Sequence, residues 1–341
     1  MNEKPAVFVM PHKSDGSRQT EKHFREAIES IENQTDENWV LAITDDCSDN
    51  ENALTELDNI EKRLGDKVHI VRSDKPLGTG RARNEGIRFA NEISSPFILF
   101  LDTDDIAHEK RLELTRKAFE SDEKINVVYS SFNVIDENSD IYSYDDIPLT
   151  IREIIDGHAH NAVQGENAWI DLATKKNYTT LTSCTAVKTS LAVKEPFPAL
   201  SVSEDTHTWY RYGAHPGKYV FLGDFKNSYR VCKGTGSRSR SANPDFYDRK
   251  AANDEQGFEK AVKIYSGFNN VAEKKIEQIR AGFLVRESLC MLRVEQTRIA
   301  KDLLKKSVAI SPEKTQAAVA NLEADNAEKE FLAKIAAENL K

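Results

Sequence analysis

Cysteine is scarce in this chain of 341 residues: Cys47, Cys184, Cys232 and Cys290 stand far apart with no CxxC pair. That spacing excludes a zinc knuckle or a disulfide framework and leaves reduced thiols as the expectation. Long apolar runs are missing too. No stretch approaches the ~20 residues a membrane span requires, and Ala6–Met10 is too brief for a signal-peptide core. A chain with no membrane span and a cytoplasmic location is expected. Excess basic charge is absent, since Lys+Arg 47 against Asp+Glu 56 leaves a net charge of -9, which argues against a protein built to wrap phosphate backbones. Two phosphate-binding signatures are also lacking. No GxxxxGKS/T occurs, and Gly78 and Gly80 are followed by Arg83 where the dinucleotide fingerprint needs a third glycine.

What is present is a globular composition, 39% hydrophobic and 30% charged, long enough at roughly 150 residues per domain for about two domains. Over the first 135 residues, apolar runs alternate with amphipathic stretches, the pattern of a β-α-β-α chain with a parallel sheet. Val7–Met10, Trp39–Thr44, Val68–Val71, Phe97–Leu101 and Val127–Val134 read as strands. Between them, Phe24, Ile28 and Ile31 share one helical face, as do Leu54, Leu57, Ile60 and Leu64. A turn at Leu77–Gly80 opens a helix toward Ile93, and Glu109–Ser121 is helical. Phe97–Leu101 is the most apolar strand and belongs at the sheet centre. Asp136–Tyr178 reads as irregular apart from a helix near Ile151–Ile155, and 178–231 as mixed strands around a helix at Glu204–Tyr212. From Phe246 onward the pattern is helical, with Pro312 separating a last helix that ends near Leu340.

The chemistry-bearing residues cluster at expected strand ends. Asp102-Thr103-Asp104-Asp105 follows the most apolar strand, and in a doubly wound sheet ligands bind outside the carboxyl ends of the strands. Three neighbouring carboxylates repel one another unless a cation lies among them, and Mg²⁺ or Mn²⁺ suits such oxygen ligands. An acidic turn capping the helix near His108 explains the same residues. Asp45-Asp46-Cys47-Ser48-Asp49 follows the second strand in the same way. There a carboxylate can accept the imide N–H of a pyrimidine, while Ser48 or Asp49 caps the next helix. LGTGRARNEG at 77–86 places small residues and two arginines at a helix start, a setting suited to anions, although arginines on a charged helix are commonly solvated.

Taken together, MPHKS at 10–14, AITDDCSDN at 42–50, LGTGRARNEG at 77–86, FLDTDD at 100–105 and SED at 203–205 resemble the GT-A glycosyltransferases of family 2 in order and spacing. The resemblance covers about residues 5–240. It implies an α/β, Rossmann-like GT-A catalytic domain over 1–240, a helical C-terminal region over 241–341, and an inverting transfer from a nucleotide-sugar donor to an acceptor. On this resemblance Pro11, Lys13, Asp45 and Asp46 surround the nucleobase, a uracil, and Arg81 and Arg83 lie near the nucleotide. Asp102 and Thr103 then meet the ribose-diphosphate, and Asp102, Asp104 and Asp105 hold Mn²⁺ or Mg²⁺. Asp205 is the general base, and Trp209, one turn on, walls the acceptor pocket or sits in the core. The chain departs from the family pattern at His12-Lys13-Ser14, and at Tyr229-Arg230-Val231-Cys232-Lys233, which has no metal-binding histidine. Lys233, Arg238 and Arg240 are expected to neutralise the leaving diphosphate instead. Without a QxxRW signature, single-sugar transfer is expected.

Two rival readings share parts of this pattern. A haloacid-dehalogenase-like phosphohydrolase also has an apolar strand followed by DxD, but wants Thr or Val where this chain has Ile106. A non-catalytic assembly protein would use the C-terminal helices, whose amphipathic faces suit packing on the first domain, pairing with another subunit or gripping a macromolecular acceptor.

Overall fold

The computed structural model describes residues 4–175, 180–232 and 244–338. Alternation in the N-terminal part becomes β1 (Ala6–His12), α1 (Arg18–Glu32), β2 (Trp39–Asp45), α2 (Glu51–Leu64), β3 (Val68–Arg72), α3 (Thr79–Glu92), β4 (Phe97–Phe100), α4 (Arg111–Ser121) and β5 (Ile125–Ile135). Each helix start has a local cause. Ser17 accepts the Thr20 N–H to open α1, and Asn50 accepts the Ala53 N–H to open α2. The chain continues through α5 (Leu149–Asn161), β6 (Gly165–Glu166), α6 (Ala168–Thr174), β7 (Thr185–Lys188), α7 (Thr189–Lys194), α8 (Glu204–Ala214) and β8 (Lys218–Arg230). The described part of segment 136–178 is therefore more regular than its sequence suggests, holding α5, β6 and α6. The C-terminal part is helical as expected: α9 (Phe246–Phe268), α10 (Glu273–Arg293), α11 (Thr297–Ile310), α12 (Pro312–Asn321) and α13 (Asn326–Glu338). The chain breaks at Pro312 as expected, with α11 ending at Ile310 and Pro312 in the first turn of α12 behind the Ser311 cap, but the expected single last helix is two.

The strands form one sheet in the order β3-β2-β1-β4-β7-β5-β8-β6. β4 lies in its middle, with all four residues buried. The sheet is mixed rather than wholly parallel, because β7 runs antiparallel to both β4 and β5, and β6 antiparallel to β8. Alternation along β1 divides the core into two layers. Phe8 and Met10 join Phe24, Ile28, Leu41 and Leu99 on one face, whereas Val7 and Val9 join Phe100, Trp169, Trp209 and Phe258 on the other. The second layer continues into Phe283 of α10 and Leu303 of α11, so one core runs from the sheet into the C-terminal helices. The expected boundary at residue 240 lies outside the described residues. Among the described residues no helix is long and apolar enough to cross a membrane.

Candidate active site

Parallel pairing brings the carboxyl ends of β1, β2 and β4 together, with His12 opposite Asp45 and Val9 opposite Phe100. Chain order reverses between β1 and β4, which makes this edge the crevice where a doubly wound sheet binds ligands. Antiparallel β7 adds to it from an unexpected direction. Its start lies beside the end of β4, so Ser183 accepts the Asp102 N–H at 3.0 Å.

The second-strand acids are turned toward their own loops. Asp45, 2% exposed, accepts the Ser48 hydroxyl at 2.6 Å and the Ser48 N–H at 3.2 Å. Asp46, 8% exposed, accepts the N–H groups of Leu77 and Gly78, which ties the β2 loop to the start of α3. Pro11 is half-buried and Lys13 exposed at the crevice, while the His12 ring points inward and stacks on Phe24 at 4.1 Å. Burial lowers the His12 pKa, against the opposing effects of Asp45 and Glu21.

The two arginines of α3 part company. Arg81 is exposed, whereas Arg83 is 3% exposed and bridges Asp102 (2.8 Å) and Glu204 (3.0 Å). Burial opposes its charge, and the two acids more than offset that effect. Asn84 accepts the Phe197 N–H and donates to the Phe197 carbonyl, both at 2.9 Å, which holds the loop before α8 against α3. Ser203 then adopts a φ of 61° immediately ahead of Glu204 and Asp205. A non-glycine residue in this region stores strain of about 1–3 kcal/mol, a feature that gathers at functional sites.

The carboxylates of the Asp102–Asp105 turn are not equivalent. Thr103 is half-buried and Asp104 exposed, and the Asp102 side chain retains 31% exposure. Asp105 is the exception to the expected metal-binding trio: it is 1% exposed and accepts the Arg230 N–H at 2.8 Å. Burial, then Asp104 and Asp102, raises its pKa well above the ordinary carboxylate range. Among the described residues no group of three His, Cys, Asp or Glu side chains is placed to hold a metal. Asp205 lies in the first turn of α8 and accepts the Thr206 N–H at 2.7 Å. Glu204 beside it has a raised pKa, through burial and then Asp205, with Arg83 opposing. The Tyr229 phenol sits within the field of four acids, and burial followed by Asp105, Asp104, Asp102 and Asp205 holds its proton. Lys233, Arg238 and Arg240 lie outside the described residues.

Sequence reasoning missed Arg230. Its side chain is wholly buried, donates to the Asp104 carbonyl at 2.7 Å and pairs with Glu26 at 2.8 Å. It thereby fixes the acidic turn from the end of β8. The available signal was a lone arginine closing an otherwise uncharged strand end, Asn227-Ser228-Tyr229.

Residues 11–176 match the family model described as glycosyl transferase family 2. Nearly half of the chain thus resembles a glycosyl transferase family 2 domain. This domain is similar to the uncharacterized glycosyltransferase MJ1057 of Methanocaldococcus jannaschii, 35% identical over 124 residues that make up 36% of this chain and 40% of the relative. It is also similar to the Escherichia coli UDP-Glc:alpha-D-GlcNAc-diphosphoundecaprenol beta-1,3-glucosyltransferase WfgD, 29% identical over 33% of this chain and 42% of the relative. The matched segments thus span about two-fifths of these relatives. Likeness of fold extends beyond the family 2 domain. S. aureus TarS 1-349, solved with UDP-GlcNAc, superposes with a TM-score of 0.63 at 17% identity over 98% of this chain and 89% of that one. The mannosyltransferase PcManGT of Pyrobaculum calidifontis, solved with GDP-Man and Mn2+, gives 0.56 at 15% identity over 99% and 86%. The fold is GT-A, a mixed α/β sheet followed by a helical C-terminal region.

Proposed function

We propose that this chain is an inverting glycosyltransferase that moves one sugar from a nucleotide-sugar, a UDP-sugar, to an acceptor hydroxyl. The observation that carries this reading is the Glu204–Arg83–Asp102 bridge, which ties the first turn of α8, and with it Asp205, to the acidic turn at the switch point of the sheet. A carboxylate so held suits a general base. In the reaction Asp205 takes the acceptor proton as the acceptor oxygen bonds to the anomeric carbon, and the bond from that carbon to the diphosphate oxygen breaks from the opposite face. The nucleoside diphosphate leaves with the electron pair.

Partly exposed Asp102 and exposed Asp104 fit a divalent cation. Mg²⁺ is commonly bound by one or two carboxylates, with substrate phosphates and waters completing its coordination. When bound, Mn²⁺ or Mg²⁺ would neutralise charge on the departing diphosphate. Asp105 is assigned instead to holding the turn together with Arg230. Asp45 and Asp46 shape the nucleobase side of the crevice by bracing the β2 loop and the start of α3, with Pro11 and Lys13 on the adjoining wall.

The test is Asp205→Asn, with nucleoside diphosphate release followed over a panel of UDP- and GDP-sugars with Mn²⁺. Turnover should fall by about 10²-fold or more while donor affinity stays within a few-fold. A merely structural Asp205 in the first turn would tolerate Asn, so near-wild-type turnover in a folded variant removes it from the mechanism.

A further inference from the structure

A cavity of about 270 Å³ lies beside the first turns of α8, lined by α5, α6, α9 and α10. At about 30 Å³ per water it has room for roughly nine waters, the scale of a small ring rather than a chain. Thr206, the neighbour of Asp205, is on its lining, together with Trp209 one turn further along the same helix. The aromatic wall is half-buried Phe246 and Tyr247 alongside buried Trp209 and Tyr210, and polar groups come from Lys250, Arg286 and Arg293. Trp209 is 2% exposed, yet among the described residues its indole N–H has no hydrogen-bond partner.

Charge decides what class of molecule fits. Lys250 pairs with Asp254, Arg286 with Glu287, and Arg293 with Glu153 and Glu328. Three cations face four acids, so no positive charge is left over for a phosphate or carboxylate. A flat apolar face for aromatic rings, with hydroxyls around its edge to meet ion-paired donors and acceptors, describes a neutral sugar ring.

We propose that this cavity receives the acceptor of the transfer, and that the acceptor is a neutral glycoside whose ring stacks against the aromatic wall with a hydroxyl directed toward Asp205. The assignment rests on the glycosyltransferase reading above and names the substrate class of its acceptor side.

The test uses the full chain and direct binding. Ligand-observed saturation-transfer NMR would measure p-nitrophenyl glucoside, galactoside, N-acetylglucosaminide and mannoside, with glucose 6-phosphate as the anionic comparison. Thr150→Trp blocks the cavity from an exposed position on α5 and spares the core, and Tyr247→Ala removes part of the aromatic wall. At least one glycoside should bind wild type more tightly than the sugar phosphate and weaken about tenfold or more in both variants, the scale of losing one aromatic contact with its buried area. Affinity for UDP with Mn²⁺ should stay within twofold. No glycoside binding, tighter binding of the phosphate, or unchanged glycoside binding in Thr150→Trp overturns the assignment. Glycoside binding that obeys the variants in a chain with no affinity for UDP or GDP supports the cavity as a sugar site and overturns the donor reading instead.

Discussion

Replacing Arg83 by Met tests whether the buried bridge organises the site. Methionine keeps an unbranched apolar stem, so packing near Phe197, whose ring centre lies 5.3 Å from the guanidinium carbon, is largely retained. What disappears is the one cation between Asp102 and Glu204. Removing one partner of a buried ion pair typically costs about 3–5 kcal/mol, because the remaining charge is left uncompensated. Here relief is available on both sides: the Asp102 side chain is 31% exposed and can rehydrate, and Glu204, whose pKa burial already raises, can take up a proton. The expected loss is therefore at the low end, about 3 kcal/mol. Arg83→Lys restores charge but not the fork that reaches two acids, and should recover about half of that loss. Urea unfolding followed by circular dichroism measures both, read from the midpoint at constant m-value. A loss below about 1 kcal/mol in Arg83→Met, or a lysine variant as stable as wild type, would refute the claim that a two-way guanidinium bridge holds the site.

Other perturbations test separate parts of the structure. Gly86→Ala should destabilise by about 1–3 kcal/mol despite better helix propensity, because an added Cβ would lie 2.6 Å from Cγ1 of the stiff side chain Val9; a urea midpoint at or above wild type would contradict this. His207 is wholly buried and its pKa is lowered to about 3 by burial, then Arg211 and Lys260. The unfolded chain takes up this proton below about pH 6.5, while the folded one stays neutral, so stability present above that pH is lost as pH falls. Between pH 7 and 5 the loss should be about 1–2 kcal/mol, and unfolding curves of His207→Gln should lack that component. Asp104→Ala should abolish the mutual strengthening of Mn²⁺ and UDP binding in calorimetry, and equal strengthening in the variant would exclude Asp104 as a metal ligand.

Much of the first 135 residues was legible because each strand there is a short apolar run ended by a polar turn, and each helix keeps a single apolar face. β4 could be placed at the sheet centre on apolarity alone. Antiparallel β7 escaped because Thr185–Lys188 is four residues long and its direction depends on pairing with β4 and β5. α6 escaped for a different reason. Its seven residues include Trp169, Leu172 and Ala173, buried in the core shared with α8 and α10, and a helix this short shows little periodicity. At the site, sequence located the acidic turn but treated its three carboxylates alike. Their separation comes from Arg230, more than a hundred residues away, which takes Asp105 inward and leaves Asp104 outside. Likewise Glu204 and Asp205 are neighbours in sequence, but only the arrival of Arg83 makes one of them a structural partner.

The C-terminal helices bear on the position of Asp205 because α8 is held between them and the sheet. On the sheet side Trp209 packs against Phe100 and Phe197, at ring separations of 6.0 and 5.8 Å. On the other side α9 approaches so closely that a Cβ on Gly257 would lie 2.6 Å from the His207 Cα, a distance only glycine permits. Phe258 of α9 stacks on Phe283 of α10 at 4.2 Å, Phe283 meets Tyr210 edge-on, and Arg286 donates to the Tyr210 hydroxyl at 2.8 Å. The helix that presents Asp205 is thus fixed from its far side by residues beyond 240, and other residues of the same two helices, α9 and α10, line the cavity beside it. Under the proposed function, Asp205 must be held to a fraction of an ångström to be effective. In this chain the family 2 segment supplies the acidic turn and Arg83, while the orientation of α8 depends on packing that the C-terminal helices complete.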